Sequence, residues 1–567
     1  MHGITIYAMA ALWRQFISSL CGTGLVLGTL FLAASLTPSL LPRSDVMQGT
    51  LAGLCFGSGY GLGAGVAWLW RYMRLPFLPE RYRPALNIAL AAASLGVMLS
   101  FLWQVPDWQN SIRLPMGMAP VDSAHPLRLF AIAALVFVLL LLLARLFGLA
   151  SRHLSRRADR VLPRRVANVL GTVLAAALFW TLANGVLFRA ALYVLDGSYR
   201  EYDALIIPDQ PRPTDPLKTG SAESLIAWEL LGRAGREFIA TAPDADRIAQ
   251  LSDRPAMQPL RVYAGLPAAD SPEERAALAL AELRRQGGFQ RSVLVVVTPT
   301  GTGWIDPAAL NTLEILHGGD VASVALQYSY LTSPLSLIVE PEYGAEATFA
   351  LFTAIYDHWL SLPPNARPRL YLHGLSLGAM NSERLIELAG VLPVPVDGAL
   401  WSGPPFESRL WRAVTDARQS GSPAWLPRFG DDSMVRFANQ DGLTAPADAP
   451  WGRMRIVYLQ YASDPITFFD PRDFYRPPSW LSAPRGPDVS AELRWYPVVT
   501  MLQLALDMMA GTGAPMGYGH VYAPEHYLDA WVAITDPPGW SPQSLARLRA
   551  ELARQGRAEQ GTQHRGG

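Results

Sequence analysis

The amino-acid sequence predicts an α-helical transmembrane domain followed by an α/β domain on a mostly parallel, doubly wound sheet that carries a cap or lid insertion. Three observations predict it. The first 195 residues hold repeated apolar stretches near bilayer length, short β-branched runs alternate with helical patterns from about residue 259, and one strand-to-helix junction carries a glycine-flanked serine. At 567 residues the chain exceeds what one hydrophobic core supports, so several units are expected: residues 1–195, a connector at 196–258, a catalytic domain at 259–545 with a lid at about 403–450, and a polar tail at 546–567.

The apolar stretches cover residues 16–36, 51–70, 85–103, 129–149 and 166–187, each near the roughly 20 residues that cross a hydrocarbon core. Five spans are therefore expected; a cleaved leader ending near Ala33 and Ala34 is the alternative for the first. Arginine sets the orientation. Arg71, Arg74, Arg81 and Arg83 follow the second stretch, and Arg152, Arg156, Arg157, Arg160, Arg164 and Arg165 follow the fourth, whereas the other loops hold only Arg43, Arg113 and Arg128. The positive-inside rule then puts the domain after about residue 196 on the extracytoplasmic face, with the bilayer itself as partner.

Beyond the connector, strands are expected at 260–263, 293–297, 321–326, 369–372, 397–401 and 454–460, with helices between them. Ser271-Pro272-Glu273-Glu274 reads as a capping box with proline at the first helical position. Pro, Gly and Ser interrupt the rhythm at 403–450, and residues 554–567 are polar enough to expect disorder.

Gly374-Leu375-Ser376-Leu377-Gly378 places G-x-S-x-G between a strand and a helix, the context of the nucleophile elbow of the α/β-hydrolase fold. A serine needs a base, and the base a carboxylate. With the order Ser, acid, His, the base lies after residue 376, where His520, His526 and His564 stand. His520, in a glycine-rich turn, is the expected base; Asp464, directly after a strand, is the expected acid, with Asp397 and Asp470 as alternatives. The oxyanion hole is expected from the backbone of Leu377 and of Thr300 or Gly301 in the loop after strand 293–297.

Composition narrows the chemistry. Net charge is zero, which gives no basic field for nucleic acid. Cys21 and Cys55 lie in apolar stretches, so the α/β domain has neither thiolate metal site nor cysteine nucleophile; no histidine pair has ligand spacing, and no cofactor or metal is expected.

Residues 35–43, 298–304, 327–331, 401–406 and 463–465 together resemble a bacterial membrane-bound α/β-hydrolase family with its own multi-span N-terminal domain. The resemblance covers nearly the whole chain. Two positions depart from it: Leu375 replaces an acidic residue of the elbow, and Tyr518 replaces a further histidine. It implies esters of membrane lipids, aminoacyl-lipid esters among them. A serine hydrolase working through an acyl-enzyme is therefore expected, with an acyl or aminoacyl transferase and a non-enzymatic membrane sensor or transport accessory as the alternative readings. Trp304, Trp401 and Phe406 are candidates for an apolar route from the bilayer.

Overall fold

A computed structural model describes residues 19–563 apart from 77–78, 124, 189–197, 207–209, 340–341, 389–391, 445 and 447–448. His564 lies outside the described residues. The chain divides into two compact units, one comprising residues 1–188, 469–481 and 487–510, the other residues 189–468, 482–486 and 511–567.

In the first unit the five apolar stretches become the helices Gly22–Ser35, Asp45–Tyr72, Arg83–Arg113, Pro126–Ala158 and Arg164–Trp180. Three helical segments, Glu80–Arg113, Pro126–Ala158 and Arg164–Gly185, are long and apolar enough to cross a membrane. Gly22–Ser35, at 14 residues, is shorter, and Asp45–Tyr72 spends seven positions on glycine, which dilutes its apolar character. Those glycines serve packing: a Cβ on Gly53 would lie 2.6 Å from Val136 Cβ, and one on Gly59 would lie 2.6 Å from the Leu27 carbonyl, so neighbouring helices approach where a side chain would block them. Leu135, Leu139, Leu142, Leu143, Leu146 and Leu149 are all exposed, an apolar surface suited to lipid.

This unit also takes in residues that sequence order assigns to the catalytic domain. Helix Val499–Ala510 packs Val499 into a buried cluster with Ala34, Leu51 and Cys55. Asp507 accepts the Leu40 N–H at 3.0 Å and pairs with Arg43 Nε at 3.1 Å, both side chains fully buried, and Gln503 Nε2 donates to the Thr37 carbonyl at 3.1 Å. Turn residues 36–43 have no regular ladder for these backbone groups, so side chains from 469–510 supply the partners.

The second unit is built on an eight-stranded sheet in the order β1-β3-β2-β4-β5-β8-β6-β7, where β1 is Leu260–Ala264, β2 Val293–Thr298, β3 Val321–Leu326, β4 Arg369–Leu375, β5 Gly398–Ser402, β6 Val435–Asn439, β7 Gly442–Leu443 and β8 Arg455–Leu459. Every pairing is parallel except β6 with β7. β2, Val-Leu-Val-Val-Val-Thr, is buried along its whole length, as a central parallel strand requires. The Ser271 box caps helix Pro272–Arg285, Ser271 Oγ accepting from Glu274 N at 3.1 Å while Glu274 Oε2 accepts from Ser271 N at 3.3 Å.

Two expectations are corrected here. The stretch 403–450 is not lid throughout: β6 and β7 extend the sheet beyond β8, a short strand followed by Asn439-Gln440-Asp441-Gly442 whose turn residues mask it. The polar end is helical, Pro542–Gln563, because Leu548 and Leu552, one turn apart, are both buried.

Candidate active site

The site forms at the carboxyl ends of β4, β5 and β8. β4 runs straight into Ser376, and helix Leu377–Glu383 begins at the next residue. This leaves no room for a relaxed turn. Ser376 takes φ +57° and ψ −124°, an unfavourable region for a residue with a Cβ. The flanking glycines make it possible: a Cβ on Gly374 would lie 2.3 Å from Gly378 C, and one on Gly378 would lie 2.1 Å from the Thr298 carbonyl of β2. The Ser376 N–H is anchored to the Ser402 carbonyl at 2.9 Å.

Asp464 follows β8 and is fully buried. Its Oδ1 accepts the Ile466 N–H at 2.9 Å, which starts the turn Pro465–Phe468, so the Asp-Pro pair is a turn initiator as well as a carboxylate in place. His520 Nδ1 lies 2.7 Å from Asp464 Oδ2. The loop carrying His520 is fixed by His520 N to the Gly511 carbonyl at 3.0 Å and Gly519 N to Ser463 Oγ at 2.9 Å. The other imidazole nitrogen, Nε2, is buried and has no hydrogen-bond partner among the described residues. The imidazole rests against Gly403, whose added Cβ would meet His520 Cε1 at 2.5 Å, and Gly403 is the residue after Ser402, which holds Ser376. The structure thus brings Ser376, Asp464 and His520 to neighbouring positions on one sheet edge.

Residues 260–548 match the family described as "Alpha/beta-hydrolase family", and residues 36–243 match "Alpha/beta-hydrolase family N-terminus". The chain belongs to this α/β-hydrolase family. No curated protein and no solved structure matches it.

The alternatives to the acid and base sit elsewhere in the hydrolase. His526, in helix Pro524–Thr535, has its Nδ1 2.6 Å from the Tyr461 hydroxyl, and burial, with Arg549 adding to it, lowers its pKa to about 4. Asp397 precedes β5 and accepts the Leu370 N–H at 2.8 Å, at the opposite end of the strands from the elbow. Asp470 caps the turn Pro471–Phe474 and bonds Arg472 Nε at 2.8 Å.

Of the expected oxyanion donors, Leu377 opens its helix, so its N–H has no carbonyl one turn back. The Gly301 N–H reaches Ser333 Oγ at 3.2 Å, a long bond to a hydroxyl that can rotate away. The Thr300 N–H closes the 300–304 turn on the Trp304 carbonyl at 3.0 Å and is engaged there. Trp401 departs from the expectation, being fully buried against Tyr458, with ring centroids 5.3 Å apart, as core.

Two residues escaped the sequence reading. Gly403, at φ +49°, makes space for the imidazole. Tyr522 donates its hydroxyl to Asp464 Oδ2 at 2.7 Å. Neither carries a local sequence signal, since His520 stands in a turn and both roles arise from what folds against it.

Proposed function

We propose that this α/β-hydrolase is a membrane-anchored serine hydrolase that cleaves an ester of a membrane lipid, aminoacyl-lipid esters included, through an acyl-enzyme. The observation that carries the reading is the His520–Asp464 pair of 2.7 Å, whose imidazole has an Nε2 with no partner among the described residues. Apo sites commonly leave the serine-to-base bond unmade until substrate binds.

In the proposed reaction Ser376 Oγ attacks the ester carbonyl while His520 Nε2 accepts the hydroxyl proton. Asp464 keeps Nδ1 protonated and offsets the imidazolium charge. The N–H groups of Leu377 and Gly301 receive the oxyanion, aided by the amino end of helix Leu377–Glu383. Collapse of the tetrahedral intermediate breaks the ester C–O bond, and His520 returns its proton to the departing alcohol. Water, deprotonated by the same nitrogen, then releases the acid and frees Ser376. Long exposed apolar helices in the same chain support a lipid substrate, since they hold the catalytic unit beside a bilayer.

The test uses the full chain in detergent with p-nitrophenyl butyrate, and in vesicles containing an aminoacylated glycerophospholipid. Ser376→Ala and His520→Ala should each lower turnover by roughly 10⁴- to 10⁶-fold, Asp464→Asn somewhat less, and the Ser376→Ala/His520→Ala double variant no more than either single one. Multiplying losses would reject the triad. Turnover of the short ester with an inert lipid would remove the lipid substrate.

A further inference from the structure

Asp464 Oδ2 accepts two strong hydrogen bonds. His520 Nδ1 and the Tyr522 hydroxyl both lie 2.7 Å from it, and Thr467 Oγ1 is a third, longer contact at 3.4 Å. Tyr522 is buried, and burial together with the neighbouring Asp464 carboxylate pushes its phenol well above the usual range. It therefore keeps its proton and acts as a donor only. Its ring is clamped as well: it stacks on Tyr461 with centroids 4.5 Å apart and planes 21° apart, and Tyr461 is itself held by the Ala523 N–H at 3.0 Å and by His526 Nδ1 at 2.6 Å. Tyr527 faces it at 6.2 Å and donates to Asp306 Oδ2 at 3.0 Å. The described groups around the acid are thus tyrosines, the neutral His526 and Asp306, with Tyr522 and Thr467 as hydroxyl donors to the carboxylate besides the base.

We propose that Tyr522 is a positioning residue for the catalytic acid: its O–H fixes the rotation of the Asp464 carboxylate so that Oδ2 faces His520, and it draws charge from that oxygen, so that the pair holds an imidazolium less tightly. The inference rests on the reading of Ser376, His520 and Asp464 as a triad. A hydrogen bond from a neutral hydroxyl to a carboxylate is charge-assisted and short, strong enough to do both. Removing the hydroxyl leaves more negative charge on Oδ2, favours the protonated imidazole, and moves the onset of activity to higher pH.

The second-order rate of fluorophosphonate labelling of the full chain, measured between about pH 5 and 9, reads this directly. Tyr522→Phe keeps the ring and its stacking. Its acid limb should move up by roughly half to one pH unit, with a plateau roughly 3- to 10-fold lower. In an Asp464→Asn background the same substitution should change neither. An unmoved acid limb, or an equal effect with and without the Asp464 carboxylate, would reduce Tyr522 to packing and overturn the inference. Ser376→Ala, run alongside, separates the two claims: undiminished labelling there rejects the triad, whereas lost labelling there with a wild-type Tyr522→Phe profile rejects only the role of Tyr522. Should Tyr522→Phe fail to accumulate, Tyr522→His, which retains a donor and a flat ring, provides the test, and a profile equal to that of a folded Tyr522→Leu would overturn the role.

Discussion

At Ser376 the backbone takes a conformation that costs a non-glycine residue on the order of 1–3 kcal/mol, and it persists because Gly374 and Gly378 admit backbone where side chains would clash. The motif was readable because its chemistry is local. The pairing of Asp464 with His520 was reachable by order and by the turn signals around them. Tyr522 and Gly403 were not, since their roles arise from what folds against them. A histidine away from the candidate site sets a different property. His526 has its pKa lowered from 6.5 to about 4, chiefly by burial. A base whose folded pKa is depressed contributes stability that is complete above the unfolded value and lost as pH falls toward the folded one. Between about pH 6.5 and 4 the protein should therefore lose stability, and His526→Gln should lose less over that span, by on the order of 3 kcal/mol. Thermal unfolding in detergent across this range measures the difference; parallel curves for the two proteins would remove His526 from the acid transition.

Among the elements, the continuous apolar runs of β2 and β3 and the capped helix at Pro272 followed from pattern, since burial on both faces and capping are written in neighbouring residues. β6 and β7 were hidden inside a Pro- and Gly-rich stretch, and helix Pro542–Gln563 by its polar composition, because their partners are distant in sequence. The loop after β5 offers a test of how elements place His520. A Cβ on Gly403 would lie 2.5 Å from His520 Cε1 and 2.9 Å from the Tyr522 hydroxyl. Gly403→Ala should displace the imidazole and lower turnover by roughly 10²-fold. Gly421, also at positive φ but with nothing within 4 Å, is the control: Gly421→Ala should lose stability and keep its turnover per folded molecule. Equal turnover in both variants would mean that the β5 loop does not position His520.

At the level of the whole chain, helices and α/β sheet were legible as separate blocks, but the compact units were not. Residues 469–481 and 487–510, between the candidate acid and base in sequence, fold with the N-terminal helices because Asp507 and Gln503 satisfy backbone groups of the 35–41 turn. No local pattern announces a partner more than 460 residues away. Arg43 and Asp507 form a fully buried pair, so Asp507→Ala or Arg43→Ala should each cost about 3–5 kcal/mol, while Arg43→Met/Asp507→Leu should recover much of the loss. Thermal unfolding of the three variants decides this, and purely additive losses would mean that the pair is not coupled. The central claim, that Ser376 is an activated nucleophile on an α/β-hydrolase elbow, is tested most directly by fluorophosphonate labelling of the full chain in membranes, with the modified peptide identified by mass. The account predicts a single label on Ser376 that vanishes in Ser376→Ala at unchanged expression; undiminished labelling of that variant would contradict it.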